Sequence, residues 1–171
     1  MRISMRELSI RPMVVDDAEA IVNIFNPIIA TQKYTLFDTP LTVEAEREFL
    51  ANFSPRGIFH VAELQDTAEI VGFQSLDPFA TYTHACDHVG VIGTYIALTH
   101  RGKGIGQQLS QATFAAAKMR GYEKIFAYVR ADNPHALHFY RNLGFTIIGT
   151  AHKHAKFSSG YVDEILIEMF L

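Results

Sequence analysis

Between His100 and Leu109 the chain reads HRGKGIGQQL, three glycines on alternate positions leading into a run with helical spacing. A glycine inside a helical turn costs about 1 kcal/mol relative to alanine, so three at a helix start call for a gain that offsets them. A strand stopping at Leu98, a short loop and a helix from Gly104 bring unpaired N–H groups and the positive end of a helix dipole to one spot. Without Cβ atoms, Gly102, Gly104 and Gly106 let an anion approach those donors, and Arg101 and Lys103 add positive charge. The joint suits a phosphate or pyrophosphate. The alternative is a loop that is glycine-rich and binds nothing. Two nucleotide motifs fit badly. A P-loop needs Ser or Thr after its lysine, and a dinucleotide fingerprint needs glycine where Gln107 stands and an acid where the next strand ends in Arg130.

The rest of the chain supplies the elements around that joint. LSIRPMV alternates as a short strand. Asp16 and Asp17 then cap a stretch in which Ala18, Ile21, Val22, Phe25, Ile28 and Ile29 recur at helical spacing, a helix that Pro27 is expected to end or kink. LTVEAEREFLANF, with Thr42 as its cap and Phe49 and Phe53 four apart, predicts a second helix. IFHVAEL and IVGFQSL, joined by QDTAE, read as a hairpin. HVGVIGTYIAL carries apolar residues on both faces and belongs inside a sheet. After Gly104, the residues Ile105, Leu109, Ala112, Ala116 and Met119 mark one helical face closed by Gly121. KIFAYVRA is a strand, and NPHALHFYRNLG a compact helix capped by Asn133 and ended by Gly144. FTIIGTAH and YVDEILIEMFL finish as strands. The order βααβββαβαββ predicts an α+β or α/β domain with a mixed sheet of about seven strands.

At 171 residues the chain suits one domain, residues 1–171, and is too short for two comfortable ones. A formal net charge of −3 gives no electrostatic reason to expect nucleic acid or an anionic membrane as partner. The single cysteine, Cys86, asks for no oxidising compartment, and no run approaches the ~20 apolar residues of a membrane span. MRISMRELSIRP lacks the apolar stretch of a secretory signal, so the cytoplasm is the expected location; Met1 and Met5 both remain open as the start. The long apolar final segment suggests an edge strand covered by a partner chain, hence a homodimer.

With these elements in order, the chain resembles the GNAT superfamily of N-acetyltransferases. RGKGIG is similar to that family's R/Q-x-x-G-x-G/A pyrophosphate loop through Arg101, Gly104 and Gly106. NPHALHFYRNLGF resembles its second motif, N-x-x-A-x-x-x-Y-x-x-x-G-F, through Asn133, Ala136, Tyr140, Gly144 and Phe145. The early YTLFDTPLTVEA and the tail GTAHKHAKFSSGYVDEILIEMFL look like the phosphinothricin and methionine sulfoximine acetyltransferase branch. The resemblance implies a mixed, mostly antiparallel seven-stranded sheet, splayed between its fourth and fifth strands and flanked by about four helices. It implies acetyl-CoA as co-substrate, no metal, and transfer of an acetyl group to the primary amine of a small molecule, an amino acid or an analogue of one. In that picture Arg101, Gly102, Lys103, Gly104, Ile105, Gly106 and Gln107 wrap the pyrophosphate. The backbone of Ile96, Ala97 and Leu98 pairs with the pantetheine arm, and Asn133 bonds the arm from the other side. Tyr140 protonates the departing thiolate, and a strand N–H near Ile96 holds the oxyanion. With a thiol near pKa ~8.5 and tyrosine near ~10, that proton transfer is close to matched.

One position departs from the branch. Where a glutamate is expected on the strand before the glycine loop stands Val91. Asp87 lies on the same face of that strand roughly 13 Å away; Glu63 and Glu164 are other strand carboxylates whose reach the sequence does not reveal. The base stays unassigned. A protein or peptide amine as acceptor, a non-catalytic acyl-CoA-binding domain, and a nucleotide-binding module are the competing readings. The eight histidines include pairs at 135 and 138 and at 152 and 154, the latter expected on one side of a strand, but no metal motif accompanies them. Tyr34, Phe37 and Phe79 sit on loops expected to flank the cleft, as core plugs or as substrate contacts.

Overall fold

A computed structural model describes residues 7–171; Met1 and Met5 lie outside the described residues. Strand β1 (Leu8–Pro12) leads into helix α1 (Ala18–Ala30) and helix α2 (Val43–Ala51). Strands β2 (Ile58–Leu64), β3 (Ile70–Pro78) and β4 (Val89–Ile96) form an antiparallel meander, and helix α3 (Ile105–Met119) returns the chain to strand β5 (Lys124–Arg130). Helix α4 (Pro134–Asn142) and the hairpin of β6 (Thr146–Phe157) and β7 (Gly160–Phe170) complete it. The predicted order of elements is the observed one.

Local chemistry explains the boundaries. Thr42 accepts from the Ala45 N–H and starts α2, and Asn133 does the same for α4 with Ala136. Gly121 and Gly144 end α3 and α4 at positive φ, +83° and +104°. Asp17 precedes α1 but does not cap it; its carboxylate takes the Val14 N–H and the Arg11 guanidinium instead. Pro27 neither ends α1 nor keeps it from reaching Ala30. Its missing N–H forfeits one helical bond, while Ile24, Phe25, Ile28 and Ile29 on either side are all buried, and that packing holds the turn. On α3 the inward face is Ile105, Leu109, Thr113 and Ala117. Met119 is 85 % exposed, because the helix has turned its last residues to solvent.

The sheet order is β1-β2-β3-β4-β5-β7-β6. All pairs are antiparallel except β4 with β5, which run parallel and pair only at Val89, Gly90 and Val91. Beyond Val91 the two strands separate, the splay expected at this place. Final strand β7 is not an edge. It lies between β5 and β6, and its apolar run exists because Ile167 is buried in the core and the strand has a neighbour on each side. The ground for expecting a partner chain on that strand is therefore gone. One apolar cluster packs α3 and α4 against Leu76, Ile92, Ile125 and Ala127; another packs α1 against Phe59, Phe73 and Tyr95 on the opposite face. Among the described residues no helix is long and apolar enough to cross a membrane.

Candidate active site

The gap between β4 and β5 opens into a cavity of about 1370 Å³ that passes through the sheet. It is lined on the α3 and α4 side by the glycine loop, Asn133 and Tyr140, and on the α1 side by residues 34–37, Ser75, Asp77, Tyr128, Arg130 and Glu164.

The three glycines answer different needs. Gly102 and Gly104 have φ of +74° and +83°, a conformation that strains any side chain, and Gly104 caps α3 without side-chain help. Gly106 has a packing reason as well, since a Cβ there would stand 3.0 Å from the Phe139 ring. With no side chain capping α3, the first helical N–H groups at 105–107 point into the cavity mouth. Arg101 stacks its guanidinium 4.0 Å above the Tyr34 ring. Gly102, Ile105 and Gln107 line the cavity with it, whereas the Lys103 side chain does not.

Strand β4 turns its peptide groups alternately. The Ala97 N–H bonds the Val71 carbonyl and Ile96 stands opposite Gly72, so Thr94 and Ile96 direct their N–H and C=O groups away from β3, toward the gap. Ala97 and Leu98 do not join them. Both Ala97 backbone groups are used, the carbonyl by His100, and Leu98 opens a 3-10 turn. Of that trio Ile96 lines the cavity, and its carbonyl accepts from Arg101 Nε at 3.5 Å.

Tyr140 is 6 % exposed and packs against Phe139 and Phe145. Its hydroxyl lies 2.9 Å from Thr94 Oγ1, which accepts from Gln74 Nε2 at 2.8 Å; Gln74 also donates to Ser110. Thr94 can therefore give its own hydrogen to the phenol oxygen, freeing the phenol hydrogen for the cavity. Burial pushes the phenol well above its ordinary value, and the Thr94 bond recovers only part of that. The close match expected between tyrosine and thiol does not hold for this buried phenol, because desolvation disfavours the phenolate.

The opposite face is built from scattered residues. Arg130 is buried, donating to Asp132 and to the Thr35 carbonyl. Glu164, 4 % exposed, is the register partner of Arg130 and has His154 Nε2 3.7 Å from its carboxylate; burial raises its carboxyl, against the pull of His154 and Arg130. Burial likewise raises Asp77, which is bonded to Ser75.

A family model described as the acetyltransferase (GNAT) family matches residues 24–145. The chain belongs to the GNAT family of acetyltransferases. The L-methionine sulfoximine/L-methionine sulfone acetyltransferase of Pseudomonas aeruginosa is 28 % identical over 145 residues, spanning 82 % of this chain and 81 % of its own. The phosphinothricin N-acetyltransferase of Streptomyces coelicolor is 24 % identical over 146 residues, spanning 84 % and 85 %. A GNAT phosphinothricin acetyltransferase of Sinorhizobium meliloti, solved in complex with acetyl-CoA, superposes with a TM-score of 0.88 over 96 % of this chain and 89 % of its own; at 19 % identity that shows the shared fold.

Several residues of this GNAT chain stand elsewhere than the sequence places them. Asp87 precedes β4, which starts at Val89, and is held by Arg56 and His84 outside the cavity. Glu63 pairs with Arg11 at the far edge of the sheet. Of the loop aromatics, Tyr34 and Phe37 line the cavity and Phe79 does not. His152 and His154 do not share a side. A bulge with Lys153 at φ +51° sets them against Asp163 and Glu164, successive residues of β7 that face opposite ways. Among the described residues no three His, Cys, Asp or Glu side chains group to hold a metal ion. Sequence reasoning missed Asp77 and Ser75 entirely, since only the pairing of β3 with β4 brings them to the gap.

Proposed function

We propose that this GNAT acetyltransferase is a single-domain, cytoplasmic enzyme that moves an acetyl group from acetyl-CoA to the primary amine of an amino acid or a close analogue, by direct attack. The observation that carries this reading is the cavity itself, which joins a mouth of free helix N–H groups on one face to a polar pocket on the other, through the gap at Thr94 and Ile96. The diphosphate rests on the 101–107 loop, with Arg101 and the amides of 105–107 as donors. The pantetheine arm runs along Ile96 as an added strand, with Asn133 beside it.

The amine nitrogen bonds to the thioester carbon, and the carbonyl electrons move to an oxygen held by the Ile96 N–H. Collapse re-forms the carbonyl and breaks the C–S bond. Tyr140 hands its proton to the sulfur, and Thr94 stabilises the phenolate by donating to it. An amino acid suits the acceptor side, since that side carries carboxylates at Asp77 and Glu164 and a guanidinium at Arg130. Methionine sulfoximine and phosphinothricin, the acceptors named for two relatives, carry both groups.

Thiol release from acetyl-CoA is measured with a panel of L-amino acids, both analogues, polyamines and a peptide. Turnover is expected with the amino acids or analogues and not with the peptide. Binding of acetyl-CoA with no turnover on any amine would favour an acyl-CoA-binding domain. Absence of heat on titrating acetyl-CoA would defeat the reading altogether.

A further inference from the structure

The geometry points to Asp77 as the general base that removes the acceptor's ammonium proton, a role that presupposes acetyl transfer to an amine. An ammonium has no lone pair, so attack needs a proton acceptor at the cavity. Among the described residues only two carboxylates line it, Asp77 and Glu164. Glu164 already faces His154 and lies across from Arg130. Among the described residues Asp77 enters no ion pair, and its one side-chain partner is the Ser75 hydroxyl.

Its place in the sheet is the stronger argument. Asp77 stands directly opposite Val91 in the β3–β4 register, and Val91 with Phe126 is the last pair made between β4 and β5. The carboxylate therefore sits at the lip where the sheet opens, one strand over from the apolar position on β4. Cross-strand partners hold their Cβ atoms about 5 Å apart, so β3 delivers a carboxylate to the region that Val91 leaves without one. The alternation of strands puts Asp77 on the same face as Tyr95 of β4 and Tyr128 and Arg130 of β5, the acceptor side of the gap.

Burial of the half-exposed carboxylate raises its proton affinity, which suits a base. The titratable groups on the face it shares are Tyr95 of β4, Lys124, Tyr128 and Arg130 of β5, His154 of β6, and Glu164 and Glu168 of β7, the last paired with Lys124, with Tyr122 reached around the end of the sheet. In the transfer one ammonium proton passes to Asp77, directly or over one water, and from there to solvent. A second is balanced by the proton that the sulfur takes up, and the third stays on the amide nitrogen.

The test is the pH dependence of kcat/KM for the fastest acceptor of the amine panel, in wild type, Asp77→Asn and Asp77→Asn/Val91→Glu. Asp77→Asn is expected to lose about 10²–10⁴-fold in kcat/KM, to keep its acetyl-CoA affinity, and to replace the acid limb by a rate that rises with hydroxide. The double variant, with the carboxylate returned from the neighbouring strand, is expected to regain at least roughly tenfold. Should asparagine fail to fold, Asp77→Ser carries the same measurement. A loss under about threefold, an unchanged acid limb, or transfer of the whole effect to Glu164→Gln overturns the assignment. Wild type that turns over no amine defeats the acetyltransferase reading instead, so the two failures are distinct.

Discussion

The two faces of the cleft are built on different plans. The α3 and α4 face comes from two short contiguous segments, 96–107 and 133–145, whose backbone groups, glycines and helix caps do most of the work. The α1 face draws single side chains from a loop and three strands: Thr35, Asp77, Arg130 and Glu164. A face made of backbone suits a ligand whose shape never varies. A face made of separate side chains can change its acceptor by one substitution without disturbing the fold.

That contrast can be broken most sharply at Tyr140. Tyr140→Phe keeps the ring packing with Phe139 and Phe145 and is expected to lower kcat by about 10²-fold or more, with KM for both substrates little changed. Steady-state kinetics decide it; a change confined to KM would move Tyr140 to a binding role. Next comes Gly104→Val, which puts a β-branched residue at φ +83°. Strain of about 1–3 kcal/mol should weaken acetyl-CoA binding by calorimetry roughly tenfold and leave the acceptor KM alone. Arg130→Lys is the counterpart on the other face. Losing the planar fork to Asp132 should raise the acceptor KM about three- to tenfold and leave acetyl-CoA affinity intact. Equal effects on both ligands from either variant would mean that the faces are not separable.

The smallest effect belongs to a site remote from both. Burial alone would raise Asp17, but the Arg11 guanidinium and the Val14 N–H outweigh it and hold the carboxyl below its ordinary value. A depressed folded pKa contributes stability that is present above the unfolded value and fades as pH falls through the folded one. Arg11→Met should therefore cost about 1–3 kcal/mol near neutrality, converge on wild type in acid, and leave kcat unchanged. Denaturant titrations across pH check it.

How much of this was legible follows the same division. RGKGIG and NPHALHFYRNLGF announce their roles because caps, glycines and periodicity are local. Asp77 is invisible in QSLDPF, since its place depends on facing Val91, fourteen residues of meander later. Arg130 reads in sequence only as the wrong residue for a dinucleotide fold, and Glu164 only as a carboxylate on a strand. Pro27 marks the end of a helix by propensity, and burial overrode it. The misplaced edge at β7 has the same origin, because strand order is set by long-range pairing that hydrophobicity does not encode.

The short β4–β5 seam has a thermodynamic corollary. Three paired residues leave the two halves of the sheet joined by a partial zipper, with the peptide groups of Thr94 and Ile96 turned toward the opening. A pantetheine chain laid there supplies the missing rung, so by mass action the melting temperature should climb with coenzyme, equivalent to about 2.7 kcal/mol at a hundredfold excess over Kd. Folding robustness and metabolic supply of the thioester would then be read from one seam.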